Sequence, residues 1–406
     1  MPLNIDITQK ALAIPAILRL AFRPLFLAGT LFSIIAIAWW TNYWVNLDLI
    51  NASGWVPYGG PIWWHGHEML FGFGIAIVAG FLLTAVKTWT GVPGLSGMLL
   101  GFLVFDWILS RFLIAFGGEV NPLIIATVDV SFLVFTAIAM AYSVLKVRQW
   151  RNLMFVPILL LLAILNAVSH WSIQTNDYLL ATKTLHATII LFVLIISILG
   201  GRVIPFFTAN ATSTVRQPAI LLLDAVTILS VLSMLVIALI GFQQVEMKVL
   251  LSISSLAAIT SGWRLLRWGI QHTLKTPLLW SLHFSFLFIP IGFLLLALFT
   301  LGYISSVSIA LHSFTVGAIA GMILAMISRV TLGHTGRPLK EPKIMKIAFS
   351  LILFSALIRI VLPEWFPSFY NQSIVIAGIF WIAAFGLYFY YYAPMLVTTR
   401  ADGRAG

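Results

Sequence analysis

Eight histidines and the absence of cysteine define the metal chemistry open to this 406-residue chain. Without cysteine there can be no disulfide, no thiolate-held iron–sulfur cluster and no zinc–cysteine site. Any bound metal ion would need histidine, carboxylate or methionine ligands, and imidazole suits copper, iron and zinc. The histidines are His65, His67, His170, His186, His272, His283, His312 and His334.

Several histidines lie at a similar depth in apolar segments that should run in the same direction. His65 and His67 begin one such segment, and His186 and His312 each lie about two helical turns into another. Ionisable groups at membrane depth are costly and usually mark function. We therefore predict that His67, His186 and His312, together with His65, act as metal ligands in the core of a helix bundle.

The remaining histidines belong elsewhere. His334 follows His312 by 22 residues, which is roughly 33 Å along a helix, so the two cannot bind the same ion. His283 and His334 are instead candidates for a second cofactor site. His170 and His272 are interpreted as interfacial residues, because a single histidine near a helix end is more often interfacial than a ligand.

Buried carboxylates and arginines could support this chemistry. Glu68 directly follows the histidine pair, where it could orient an imidazole, relay protons or only complement a helix N-terminus. Four further ionisable residues are expected to form structural ion pairs between helices, and the two arginines could instead contact the carboxylates of a cofactor. These residues are Asp106, Arg111, Asp129 and Arg359.

Membrane helices must position these side chains. Only 9% of the residues are charged and 61% are hydrophobic, whereas a soluble domain has roughly 25% charged residues. The mean hydropathy is +1.05. Because the apolar runs are continuous, the sequence predicts an all-α, polytopic membrane protein of about twelve transmembrane helices. The predicted segments are residues 25–47, 64–86, 93–116, 120–146, 152–173, 180–207, 217–240, 247–270, 276–302, 304–332, 342–366 and 371–397.

The distribution of lysine and arginine predicts the orientation. The basic residues concentrate in alternate loops, and the opposite loops carry mainly acidic residues, so the positive-inside rule places both termini in the cytosol. The net charge of +11 then reflects the membrane topology and predicts contact with lipid headgroups, and it does not indicate nucleic-acid binding. We predict one transmembrane domain over residues 1–406, with a cytosolic lead-in at 1–24, no cleavable signal peptide and a cytosolic tail at 398–406.

Two glycine pairs have the spacing of helix-packing motifs. Gly97 and Gly101 form one pair, and Gly317 and Gly321 form the other. Small residues four positions apart allow close approach of helices in membranes. No glycine-rich phosphate loop with its lysine occurs, which argues against ATP-driven transport within this chain.

Motifs spread over nearly the whole chain resemble those of the NnrS family. They are WHGHEMLFGF at residues 64–73, FRPLF at 22–26, LHA at 185–187, GRVIPFFT at 201–208, LHSFTVGA at 311–318 and SRVTLGHTGRP at 328–338. The resemblance implies a multi-pass protein of the bacterial inner membrane that contains copper and haem, taken here as the b type. It also implies a role in nitric oxide metabolism, through nitrosative-stress defence or denitrification.

Two functions remain open at this point. In the first, the protein binds nitric oxide at haem or copper and reduces it with electrons from an unidentified donor. His67, His186 and His312 would then be ligands, His65 would bind or orient, His283 and His334 would hold the second cofactor, and Glu68 would be the catalytic carboxylate. In the second, the protein is a non-enzymatic transporter or sensor for a metal, haem or a small ligand. The sequence does not predict the oligomeric state.

Overall fold

Among the described residues, twelve helices are long and apolar enough to cross a membrane, which confirms the predicted all-α, polytopic fold. The computed structural model describes residues 13–45 and 55–404. The helices are α1 (Phe22–Val45), α2 (Pro61–Thr90), α3 (Gly97–Phe116), α4 (Pro122–Lys146), α5 (Trp150–Gln174), α6 (Tyr178–Thr212), α7 (Leu221–Ile240), α8 (Met247–Leu266), α9 (Pro277–Thr300), α10 (Val307–His334), α11 (Met345–Trp365) and α12 (Pro367–Val397).

The helix ends differ from the predicted segments because hydropathy detects only the apolar part of a helix. Helix α2 begins at Pro61, where the fixed φ of proline suits a first helical turn. Helix α6 begins after Asp177, whose side chain accepts a hydrogen bond from the Leu180 amide. Its 35 residues correspond to roughly 52 Å, so α6 is longer than a bilayer core is thick. Of the predicted lead-in, residues 1–12 lie outside the described residues.

Helices α2, α6 and α10 form the centre of the bundle. Within their most apolar windows, 78%, 61% and 83% of the residues are buried, compared with 33% for α3 and 39% for α4. Helices that are apolar all round belong inside a large bundle. Around them, α3, α4 and α5 pack side by side, as do α7, α8 and α9, and α12 packs against both α11 and α1. The first and last helices are therefore neighbours.

Both α2 and α10 change from α-helical to π-helical hydrogen bonding partway along. The π-helical stretches cover Glu68–Gly74 in α2 and Ser313–Ala320 in α10. Each begins at the residue after a histidine, His67 or His312. A π-helical turn contains an extra residue and rotates the side chains that follow it, and such turns are frequent at functional sites.

Candidate functional site

Three histidines from the three central helices line one cavity in the half of the bundle where α2, α6 and α10 begin. This outer cavity has a volume of about 310 Å³. Its histidines are His65 from α2, His186 from α6 and His312 from α10. Most of the remaining lining is apolar, with side chains from α1, α11 and α12 closing the other sides. His186 and His312, which the sequence predicted to share a metal site, thus line one cavity, and their role as ligands stays a prediction.

Two of these imidazoles have a nitrogen free for a ligand. His65 stacks on Trp40 with the ring centroids 4.2 Å apart, and its buried Nδ1 has no hydrogen-bond partner among the described residues. In His312, Nδ1 lies 2.7 Å from the Ser308 carbonyl oxygen, to which it donates. That bond places the proton of a neutral ring on Nδ1 and leaves the Nε2 lone pair available, which is the usual arrangement of a metal-binding histidine.

The outer cavity also contains an arginine and lacks a carboxylate. Arg359 of α11 lines it, is 9% exposed and lies over the Tyr370 ring at 5.4 Å from its centroid. None of the described residues lining the cavity is acidic. A cation without an acidic neighbour in an apolar cavity favours an anionic group on the occupant. Arg359 therefore suits a cofactor that carries a carboxylate.

The predicted convergence of His67 with His186 and His312 is wrong. His67 contacts α4 and α5 instead, and His65 takes its place at the outer cavity. The reason is helical geometry: residues two apart on a helix point about 200° away from each other. The predicted membrane depth of these histidines stays a prediction, and depth alone does not fix the face of the helix that bears the ligand.

His67 belongs to a second site, a buried polar cluster between α2, α3, α4 and α5. Its members are almost completely inaccessible to solvent. We call it the polar cluster; it consists of His67, Glu68, Arg111, Asp129, Asn166 and His170.

Carboxylates connect the members of the polar cluster. Arg111 donates to Glu68 Oε1 over 2.6 Å and also to Asp129. Glu68 Oε1 in turn lies 2.9 Å from His67 Nδ1. On the other side, His170 Nε2 lies 3.1 Å from Asp129 Oδ2. The interhelical ion pair predicted for Arg111 and Asp129 is therefore present, and Glu68 pairs with the same guanidinium.

Glu68 does not line the outer cavity. Its position agrees with the predicted alternative of an imidazole-orienting carboxylate, because Oε1 accepts from His67. Asp106, also expected to pair, accepts a hydrogen bond from Ser131 at 2.9 Å. A catalytic role for Glu68 stays a prediction.

Sequence reasoning missed His170 as a site residue. It was interpreted as interfacial, yet it is fully buried and lies edge-on to His67 with ring centroids 5.1 Å apart. A signal existed in α5, where Asn166, Ser169 and His170 share one face at helical spacing. Ser169 accepts a hydrogen bond from Trp63 of α2. This polar stripe on an otherwise apolar helix could have identified the cluster.

The histidines of the opposite half, where α2, α6 and α10 end, occupy separate surroundings. His283 is buried, with Nδ1 at 3.0 Å from the Leu279 carbonyl and Nε2 at 3.4 Å from the Trp268 carbonyl. His334 packs against Phe22 and lines a cavity of about 1050 Å³, the inner cavity. Their predicted role in a second cofactor site stays a prediction, for which His334 has the space and His283 is already hydrogen-bonded.

Arginines also line the inner cavity. Arg202 of α6 and Arg329 of α10 face it together with Arg151, and Arg329 lies 3.9 Å from the centroid of the Phe207 ring. Most of its remaining wall is apolar. A smaller apolar cavity of about 80 Å³, lined by α1, α2, α6 and α10, also lies among the central helices. The same three central helices thus line all three spaces.

Comparison with known proteins agrees with the resemblance seen in the motifs. The chain matches the family described as NnrS protein over residues 16–400. No curated protein matches it. Since the match covers nearly the whole chain, this multi-pass membrane protein belongs to the NnrS family.

Proposed function

We propose that the chain is a haem- and copper-binding protein of the bacterial inner membrane that binds nitric oxide and reduces it at the outer cavity. Membership of the NnrS family suggests a nitric oxide response. The observation that carries the proposal is the outer cavity itself, where His65, His186 and His312 come together from three central helices. Nitrogen ligands of this kind suit iron and copper.

The residues of the outer cavity fit a haem. His65 and His312 each have a nitrogen available, and Arg359 can bind a cofactor carboxylate in charge-assisted hydrogen bonds. Trp381 and Phe73 add flat apolar surface to the wall. Among the described residues, the three potential ligands whose atoms lie within 4.8 Å of one another belong to the polar cluster and not to the outer cavity. The three histidines of the outer cavity therefore suit a large cofactor that each of them contacts separately, and His186 remains available for copper.

Bound haem iron or copper, when reduced, would supply the direct binding of nitric oxide. The chain's own residues do the rest. Ser308 fixes the ring of His312, and the apolar walls accept a small, weakly polar gas that dissolves in lipid. Coupling two nitric oxide molecules to one nitrous oxide and one water takes up two electrons and two protons. The electrons must come from an external donor.

Purified variants test the cofactor assignment. We expect His65→Ala and His312→Ala to lower the haem-to-protein ratio at least about tenfold, since loss of a metal-supporting side chain commonly costs that much. His272→Ala, at an exposed position in the turn Ile270–His272, is the matched control. The readouts are the optical spectrum, metal content and the spectral change on adding nitric oxide. Unchanged haem and copper in both cavity variants would disprove the assignment.

A second function, transport or sensing, is favoured by one observation: the outer, small and inner cavities all lie along the same three helices. Discontinuities in central helices commonly mark transport paths, and both α2 and α10 contain π-helical stretches. Anaerobic assays with a chemical reductant separate the two functions. Repeated formation of nitrous oxide supports the reductase, whereas binding of nitric oxide without turnover supports the sensor or transporter.

A further inference from the structure

Three members of the polar cluster have the geometry of a metal site. His67 of α2, Asp129 of α4 and His170 of α5 each present a ligand atom, and these atoms all lie within 4.8 Å of one another. All three residues are buried. We propose that they bind one divalent first-row transition-metal ion, at a site separate from the outer cavity. The argument rests on the cluster's own contacts and does not depend on nitric oxide chemistry.

The hydrogen bonds of His67 leave a conflict that a cation resolves. Its Nδ1 lies 2.9 Å from Glu68 Oε1, and its Nε2 lies 2.8 Å from Asn166 Oδ1 and 3.3 Å from Asp129 Oδ2. The Asn166 amide is oriented by its own donation to Asp129 over 2.7 Å. A neutral imidazole has one N–H, yet both nitrogens of His67 face oxygen acceptors. A metal ion bound at Nε2 would remove the mismatch.

The net charge of the polar cluster also favours a bound cation. Glu68 and Asp129 bring two carboxylates, and Arg111 brings one guanidinium, so the formal sum with neutral imidazoles is −1. A buried charge is strongly unfavourable unless it is paired or coordinates a metal. A bound cation would compensate the excess negative charge. One Glu68 oxygen, Oε2, and one His170 nitrogen, Nδ1, also have no partner among the described residues.

The surroundings support ligand orientation. Glu68 accepts from the His67 nitrogen opposite the proposed metal-binding one, and Arg111 holds that carboxylate in place. A carboxylate behind a metal-binding histidine fixes its tautomer and its ring orientation. Trp63 stacks on His67 with centroids 4.2 Å apart and meets His170 edge-on at 5.5 Å. These contacts restrict both rings and keep the site dry.

The donor set indicates the class of ion. Two imidazoles and a carboxylate suit zinc, iron, cobalt or copper in the divalent state, whereas calcium and magnesium prefer oxygen ligands alone. Asn166 Oδ1 lies next to His67 Nε2 and can serve as a fourth ligand. A site with these ligands is closed by the protein itself and requires no external molecule.

The experiment measures metal content in the full-length protein purified in detergent. After removal of loosely bound metal, we expect one metal equivalent beyond the haem iron and the copper proposed for the outer cavity in the natural chain. We expect His170→Gln and Asp129→Asn to lose this equivalent. His272→Ala is the matched control, because this exposed histidine lies outside both the outer cavity and the polar cluster. Retention of the full equivalent in both cluster variants would overturn the proposal.

A second measurement uses the natural chain alone and does not depend on variants that fold. Protein loaded with Co²⁺ should show visible ligand-field bands, and X-ray absorption should show nitrogen and oxygen neighbours at about 2.0–2.2 Å with the scattering of two imidazoles. The haem and the response to nitric oxide report separately on the proposed function. If neither Co²⁺ nor Zn²⁺ binds to the folded protein, the cluster is held by a proton on histidine, and the metal site does not exist.

Discussion

At the residue scale, neighbouring polar side chains in this chain contribute to different sites. His65 and His67 lie two positions apart, yet one lines the outer cavity and the other belongs to the polar cluster. Each ring also stacks on its own tryptophan, Trp40 or Trp63. A helix that separates two groups of polar side chains can therefore supply a residue to each, because its opposite faces contact different neighbours.

Arg23 provides a prediction about stability at this scale. It is completely buried in α1 and donates through Nη1 to the carbonyls of Leu396 and Thr398, at 2.9 and 2.6 Å, where α12 ends. Removing the guanidinium leaves helix-terminal carbonyls without a donor. We expect Arg23→Ala to lower the free energy of unfolding by about 1.5–3 kcal/mol, the range for hydrogen bonds to charged groups.

Thermal unfolding in detergent measures this effect, with Arg404→Ala as the control. Arg404 is likewise an arginine, but its side chain is 82% exposed. If the two variants unfold at the same temperature, Arg23 does not fasten the end of α12 to α1.

At the element scale, the two π-helical stretches distinguish α2 and α10 from the other helices. In α2, the Gly72 carbonyl within the stretch accepts a hydrogen bond from the Trp107 indole of α3. In α10, Gly317 and Gly321 allow α9 to approach closely, at Phe288 and Ser285. This agrees with the predicted packing role of that glycine pair. Among the described residues, a Cβ atom added at Gly97 or Gly101 would meet only Ile14 or Leu18, before α1, at 3.9 Å.

Substitution of Gly317 tests the close approach of α9 and α10. A methyl group at this position would overlap the Phe288 ring. We expect Gly317→Ala to lower the free energy of unfolding by about 1–3 kcal/mol, because extra volume in a packed interior forces the neighbours to move. Gly386→Ala in α12 is the control, since no atom lies within 4 Å of its Cβ position. Equal stability of the two variants in a thermal unfolding assay would contradict the packing role.

At the scale of the whole molecule, the alternating loops define two sides, and the outer cavity lies at the side where α2, α6 and α10 begin. The concentration of lysine and arginine at the other side predicts that the inner cavity faces the cytosol. The C-terminal tail returns to this side, where Arg400 donates to the His334 carbonyl at 2.9 Å. Asp402 accepts from Arg400, which holds the pKa of that carboxyl below its usual value.

The absence of cysteine makes the predicted orientation directly testable. Asn176→Cys, in the exposed turn between α5 and α6, should react with a membrane-impermeant maleimide in intact spheroplasts. Lys275→Cys, in the exposed loop between α8 and α9, should react only after the membrane is opened. The natural chain gives the background. The reverse pattern would invert the topology and place the outer cavity on the cytosolic side.

The sequence by itself determined that the protein is a multi-pass membrane protein and how many helices it has. Hydrophobic content and run length decide these properties locally, because every backbone group in a bilayer must be bonded within its own helix. The motifs identified the family, and two of the histidines chosen from the predicted helices, His186 and His312, line the outer cavity. Each of these properties can be calculated from residues that are close together in the chain.

Only the tertiary structure decided which faces meet. It showed that His65, not His67, lines the outer cavity. It also brought the His170 ring nitrogen Nε2 next to Asp129 Oδ2, although the two residues lie 41 positions apart in the chain. Helix rotation, tilt and the π-helical stretches control these pairings, and they depend on packing against helices distant in sequence. A change of one residue in helical phase turns a side chain by about 100°, so the sequence predicted which helices carry the histidines but not which side chains meet.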